Sequence, residues 1–174
     1  LGVYIGDEYY KTNNTTPESL DIQAYIRKMV QKGCKYVVME ISSQALKVGR
    51  VEGMTFDYGI FTNLSEDHIG ENEHANMEEY ADAKAKLFTM CKNAIINVDN
   101  SYSSKMIESA RKSKEKVAIY TLSTDIDKCA DFTAINIQKH PDRVEYDVLK
   151  RDEGTVLSHV TVPIPGLFTV YNSL

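Results

Sequence analysis

The sequence predicts an α/β fold, a mainly parallel sheet flanked by helices, with a small antiparallel β addition. Three observations lead to this expectation. Tyr36-Val37-Val38-Met39 is a continuous apolar run of strand length, the pattern of a strand covered on both faces. Strand-like and helix-like segments then alternate as far as Tyr120, as in βαβ units with right-handed crossovers. From residue 131 to 162 the chain changes to short alternating segments with no helical period.

A chain of 174 residues is expected to form one domain with one sizeable core. Its 43% hydrophobic and 26% charged residues are ordinary for a globular domain. No apolar run approaches the roughly 20 residues of a membrane span, so no membrane partner is expected. A net charge of -5 and the absence of a basic stripe argue against a nucleic-acid partner. The densest basic stretch, Lys105, Arg111, Lys112, Lys114 and Lys116, reads as the wet face of a helix. Cys34, Cys91 and Cys129 are widely spaced, with no C-x-x-C pair, which suits a reducing cytoplasm. Because Leu1 falls inside a strand-like pattern with no initiator Met, the natural start is expected to lie upstream.

Residues 2–12 alternate around Gly6-Asp7 and predict a tight hairpin. After the break at Asn13 to Pro17, a helix is expected from Pro17, with Thr16 as its N-cap and Gly33 as its stop. Leu20, Ile22, Ala24, Tyr25, Ile26, Met29 and Val30 supply its apolar face. The strand at Tyr36–Met39 follows, then a strand at 57–62 and a helix from Met77 to Cys91. A strand at Ala94–Val98, a helix from Ser103 to Ser113 and a strand at Val117–Tyr120 complete the alternation. Phe132–Ile137, Val144–Leu149 and Val156–Val162 are expected to form an antiparallel meander beside the main sheet.

In such sheets ligands gather at the carboxyl edge, so polar residues just past strand ends are the candidates. Asn14-Thr15-Thr16 is either a capping segment or an anion site at a helix start. Glu40, directly after the apolar run, is open to two roles, a structural ion pair or a metal ligand. His68, beside Asp67, is either a satisfied helix-start residue or a divalent-ion ligand. Arg50, between Gly49 and Val51, is a surface charge or a phosphate clamp. Lys84 falls in the middle of the stripe Met77, Tyr80, Leu87, Phe88, Cys91, where it either snorkels or points into a site. His74, His140 and His159 read as structural or solvated.

Several strings then form an ordered set: N-N-T-T-P-E-S at 13–19, M-E-I-S-S-Q-A-L at 39–46, G-R-V at 49–51, F-T-N-L-S-E-D-H at 61–68, Y-A-D-A-K-A-K-L-F at 80–88 and I-P-G-L-F-T-V-Y-N at 164–172. Over essentially the whole chain they resemble the Mur ligase central domain, a P-loop NTPase-like fold, and their order and spacing are most similar to the MurE type. The resemblance implies an ATP-dependent ligase of peptidoglycan synthesis that adds lysine or diaminopimelate to UDP-MurNAc-L-Ala-D-Glu through an acyl phosphate. It also implies roles. Asn14, Thr15, Thr16, Ser42 and Arg50 would hold the UDP-muramoyl substrate, Glu40 and His68 would ligate Mg²⁺, Asn172 would approach the adenine, and Lys84 matches the family's carboxylated lysine.

The sequence departs from the family pattern at Gln44, where a His is frequent, at Val48, where many relatives have Gln, and at Gly70, where an Asp is usual. No G-x-x-x-x-G-K-[ST] occurs, and the family carries one immediately before the position where this chain begins. Residues 1–174 are therefore expected to be a partial central domain, truncated at both ends and inactive alone, with 131–162 as a subregion within it. Two alternatives stand beside this: another ligase of the superfamily, such as a folylpolyglutamate synthase or a cyanophycin synthetase-like enzyme, and a non-catalytic module that binds a nucleotide sugar.

Overall fold

The computed structural model describes residues 1–66, 69–70 and 74–174. The chain opens on a hairpin, β1 (Gly2–Ile5) paired antiparallel with β2 (Glu8–Lys11). Ile5 pairs with Glu8, so Gly6-Asp7 is a two-residue loop, and Gly6 takes a φ of +61°, which glycine adopts at no steric cost. Helix α1 (Ser19–Gln31) follows. Its N-cap is Glu18 and not Thr16, because the Thr16 hydroxyl is engaged across the chain with Glu40 and Ser42. Gly33 does stop the helix. With φ at +75°, the Cys34 N–H reaches Met29 O and the Gly33 N–H reaches Val30 O, both at 3.0 Å, the bond pair of a Schellman stop.

The run Tyr36–Met39 corrects an expectation, since residues 35–42 form no strand. Among the described residues no strand lies alongside to take its backbone hydrogen bonds, and Tyr36 and Val38 are 88% and 99% exposed. Met39 and Ile41 do turn inward, onto a cluster of Ile22, Leu46 and Val51 that joins α1 to the short helix α2 (Ser43–Lys47). An unbroken apolar run reports the covering a strand would need, and here only one side is covered.

The main sheet has six strands whose spatial order is their chain order: β3 (Phe56–Phe61), β4 (Cys91–Asn97), β5 (Ala118–Ser123), β6 (Phe132–Lys139), β7 (Val144–Lys150) and β8 (Thr155–Val162). The first four run parallel, and β7 and β8 are antiparallel. The meander is thus part of the main sheet, where the sequence placed it beside that sheet. β5 and β6 overlap only at Leu122↔Phe132 and Ser123↔Thr133. Since β6 starts where β5 stops, no full crossover is required between these parallel strands, and β6 to β8 project beyond the carboxyl edge.

Helix α3 (Met77–Ala85) gives way to a 3-10 turn, Lys86–Thr89, and Cys91 opens β4 instead of closing the helix. The i, i+3 spacing of buried Phe88 and Cys91 continues through the boundary, so periodicity alone does not mark it. Helices α3 and α4 (Ser103–Arg111) cover one face of β3 to β5, with Tyr80, Ala81, Ala85, Met106 and Ala110 on Phe61, Ala94 and Ile96. On the other face α5 (Leu167–Ser173) covers the meander, with Val170 on Ala134, Val144 and Tyr146. Strand register places Tyr58, Ile60 and Tyr120 on that second face, beyond α5, and all three are exposed.

Candidate functional site

Thr16 is the hub of the first half of the site. It is fully buried, its hydroxyl accepts from Ser42 N at 2.9 Å, and it lies 3.1 Å from Glu40 O as a donor. Ser42 in turn caps α2, its Oγ accepting from Ala45 N at 3.2 Å. Arg50 donates from one terminal nitrogen to Thr16 O at 3.2 Å and pairs through the other with Glu18 at 2.8 Å. Its Nε is buried with no partner among the described residues. Asn14 reaches the same Glu18 oxygen at 3.3 Å, and the Ser19 hydroxyl donates to Arg50 O at 2.9 Å. Asn14, Thr16, Ser42 and Arg50 therefore sit in one bonded network around Glu18, with exposed Thr15 beside them. Sequence spacing did not identify Glu18 as a shared partner of Asn14 and Arg50.

Helix α3 carries the second half. Asn76 caps it by accepting from Glu79 N at 2.9 Å, and Glu79 returns to accept from Ala75 N at 2.7 Å. Tyr80 and Lys84 then share a face at i, i+4, with the Lys84 ammonium 5.9 Å from the Tyr80 ring centre. Burial pushes the Lys84 pKa below that of a free lysine, and the negative charge of Glu40 opposes the shift in part. Lys84 and Glu40 thus feel each other, although they come from separate elements. The Glu40 side chain itself is exposed.

His74, expected to be structural or solvated, is 1% exposed. Its Nε2 is 2.8 Å from Ser43 Oγ, and its ring stacks on Tyr80 at 5.0 Å between centres with 20° between planes. Nothing in the sequence joins His74 to Ser43, 31 positions earlier, and only the approach of α2 to α3 brings them together.

Two predicted residues are not among those joined above. His68 lies outside the described residues. Asn172 is exposed on α5, and no contact among the described residues links it to Glu40 or Lys84. Its helix is nevertheless tied to the carboxyl edge. The Tyr171 hydroxyl lies 2.9 Å from Thr124 Oγ1, and Asp99 accepts from Thr124 N at 2.8 Å and Thr124 Oγ1 at 2.9 Å. At the same edge Asn97 and Asn100 hold the loop leaving β3, donating to Thr62 O at 2.8 Å and Leu64 O at 3.0 Å.

A cleft of about 410 Å³ between the hairpin, α1 and residues 37–40 includes Thr15 and Glu40 in its walls. A larger one of about 790 Å³, lined by Thr55, Met90 and Lys114 among others, opens at the amino ends of β3 to β5 and holds none of the predicted site residues. Among the described residues no group of three or more His, Cys, Asp or Glu is gathered to hold a metal, and no helix is long and apolar enough to cross a membrane.

A mixed sheet with polar residues collected past its strand ends, and a half-buried lysine within the electrostatic reach of a carboxylate, is an α/β arrangement with its candidate site at the carboxyl edge. The chain belongs to the Mur ligase middle domain family, which matches residues 1–174. It is 46% identical to the "UDP-N-acetylmuramoyl-L-alanyl-D-glutamate--2,6-diaminopimelate ligase" of Caldanaerobacter subterraneus subsp. tengcongensis, over 98% of this chain and 33% of that protein. It is 38% identical to the protein of the same name from Clostridioides difficile, over 100% of this chain and 34% of the relative. A solved structure of a ligase of this name superposes with a TM-score of 0.83 at 28% identity, covering 94% of this chain and 34% of that one. MurF from Acinetobacter baumannii shares the fold, with a TM-score of 0.54 at 18% identity over 67% of this chain and 24% of its own. The chain thus spans about a third of the length of the curated relatives it matches.

Proposed function

We propose that this chain is the middle domain of a cytoplasmic, ATP-dependent ligase that joins 2,6-diaminopimelate to UDP-MurNAc-L-Ala-D-Glu, the third-residue step of peptidoglycan synthesis. The observation that carries the reading is the half-buried Lys84 on α3, its side-chain nitrogen over the Tyr80 ring at 5.9 Å, where burial disfavours the ammonium and the charge of Glu40 opposes that shift in part. The diaminopimelate of the relatives' names favours that amino acid over lysine.

Only a neutral amine reacts with CO₂. Its nitrogen forms a bond to the carbon and releases a proton, leaving a carbamate anion. Lys84 is half-buried over the Tyr80 ring, and that burial favours the neutral amine. The carboxylate of Glu40 and a carbamate on Lys84 are hard oxygen donors of the kind that suits Mg²⁺, with His68 as a further ligand on family likeness. Magnesium held there would supply positive charge to the phosphate oxygens of ATP. The chain's own task is positioning. Thr16 holds the backbone at Glu40 and Ser42, and the Tyr80 ring lies under the Lys84 side-chain nitrogen. Asn14, Thr15, Ser42 and Arg50 would take the muramoyl nucleotide and Asn172 the adenine. For Arg50 an anionic substrate would then replace or share the Glu18 carboxylate.

The test is the complete protein incubated with ATP, Mg²⁺, UDP-MurNAc-L-Ala-D-Glu and meso-diaminopimelate, with L-lysine in a parallel reaction. The expected result is a UDP-MurNAc-tripeptide with stoichiometric ADP and phosphate, faster with diaminopimelate. No product with either amino acid would overturn the proposal.

A further inference from the structure

The middle of the candidate site contains a side chain that neither the sequence motifs nor the family likeness assigns. His74 is 1% exposed and sits between two elements with separate duties. On one side its Nε2 meets Ser43 Oγ at 2.8 Å, at the first residue of α2 and three positions past Glu40. On the other its ring lies nearly parallel to Tyr80, 5.0 Å between centres, one helical turn before Lys84. Burying an imidazole is unfavourable unless its polar atoms are paired, and a ring stack adds a preferred angle as well as contact area. Such a residue fixes orientation more than a plain apolar filler would.

We infer that His74 is a positioning residue of this ligase, clamping the start of α2 to the Tyr80 face of α3 so that Glu40 and Lys84 keep one mutual geometry. The inference rests on the function proposed above. Glu40 is attached to the clamp through Ser42 and Ser43, and Thr16 holds the same segment from the other side. Lys84 is attached through Tyr80, one turn earlier on α3, whose ring its side-chain nitrogen overlies. A shift of about 1 Å between groups that must act together costs on the order of 100-fold in rate. Loosening the clamp should therefore affect turnover, while Asn14 and Arg50, the proposed muramoyl-binding residues, stay in place on their shared partner Glu18.

The experiment uses the complete ligase as wild type, His74→Phe, which keeps a ring for Tyr80 but loses the bond to Ser43, Ser43→Ala, the double variant, and His74→Gln. The readouts are kcat and KM for UDP-MurNAc-dipeptide per folded enzyme, with Tm measured alongside. His74→Phe should lower kcat by about 10- to 100-fold with KM within about twofold. Ser43→Ala should fall in the same direction, and the double variant should be no worse than the poorer single, because both remove one contact. His74→Gln, which can still bond Ser43, should recover part of the loss. If His74→Phe folds poorly, Ser43→Ala, the loss of one hydroxyl, decides the matter. Unchanged kcat in the single variants, strictly additive losses, or a lowered Tm with normal kcat would overturn the inference while leaving the functional reading intact. A wild-type enzyme that makes no tripeptide would overturn both.

Discussion

Replacing Thr16 with Val puts a methyl of similar size where the hydroxyl was, so it isolates the polar role of a fully buried side chain. The hydroxyl accepts from Ser42 N at 2.9 Å and donates to Glu40 O at 3.1 Å. Each bond contributes about 1 kcal/mol net, and a buried donor left unpaired costs about 1–3 kcal/mol, so a loss of about 2–3 kcal/mol is expected. For a chain of this length each kcal/mol lowers Tm by about 2–4 °C, which places the Thr16→Val midpoint roughly 4–12 °C below wild type. Thr16→Ser keeps the hydroxyl and loses one methyl, worth about 0.8 kcal/mol of burial. Thermal unfolding followed by far-UV circular dichroism, on all three proteins in one buffer, gives the comparison. A Thr16→Val protein as stable as wild type, or no less stable than Thr16→Ser, would refute the claim that this hydroxyl binds Ser42 and Glu40 to the start of α1.

Two further outcomes follow from packing and charge. A Cβ added at Gly59 would meet Cys91 Sγ at 3.0 Å and Cys91 Cβ at 3.3 Å across the β3–β4 pair, so Gly59→Ala should cost about 1–3 kcal/mol in denaturant unfolding, and Cys91→Ala in the same chain should return part of it. The Glu79 carboxyl is held below its ordinary pKa first by the Lys47 ammonium bonded to it and then by Ala75 N–H. A depressed carboxylate contributes stability that is present above the unfolded pKa of about 4.3 and is lost as pH falls through the lower folded value. The stability difference between wild type and Glu79→Gln should therefore shrink on acidification through that range, and a difference independent of pH would contradict the assignment.

Which parts of the fold could be read from the sequence follows from what local pattern encodes. The Gly6-Asp7 hairpin, the Gly33 stop and the strand–helix alternation to β5 depend on neighbours a few residues apart, and each is present. The Tyr36–Met39 run does not depend on local pattern alone, because an apolar run becomes a strand only when another backbone lies beside it. Cys91 continues the inward spacing of Phe88 across a helix-to-strand boundary, so its periodicity is genuine while its element is not. The meander was legible as strands, but its union with the main sheet turns on two register pairs at the end of β5. The site divides in the same way. Thr16, Ser42, Arg50 and Asn14 come together, and Lys84 lies within the electrostatic reach of Glu40, whereas Glu18 becomes a shared partner only through Arg50, 32 positions on, and His74 through Ser43, 31 positions back.

Lys84 is where the family likeness, the fold and the proposed chemistry meet. In the complete ligase Lys84→Ala should lower kcat by at least about 10²- to 10³-fold, the scale expected when one organising charge is removed from an active site. Added bicarbonate should not restore turnover, because no amine remains to be carboxylated, whereas acetate or formate should restore part of it by supplying an anion without the tether. Measured kcat for Lys84→Ala with no addition, with bicarbonate and with acetate is therefore predicted to be low, low and partly recovered; a Lys84→Ala enzyme with full activity and no additive would contradict the assignment.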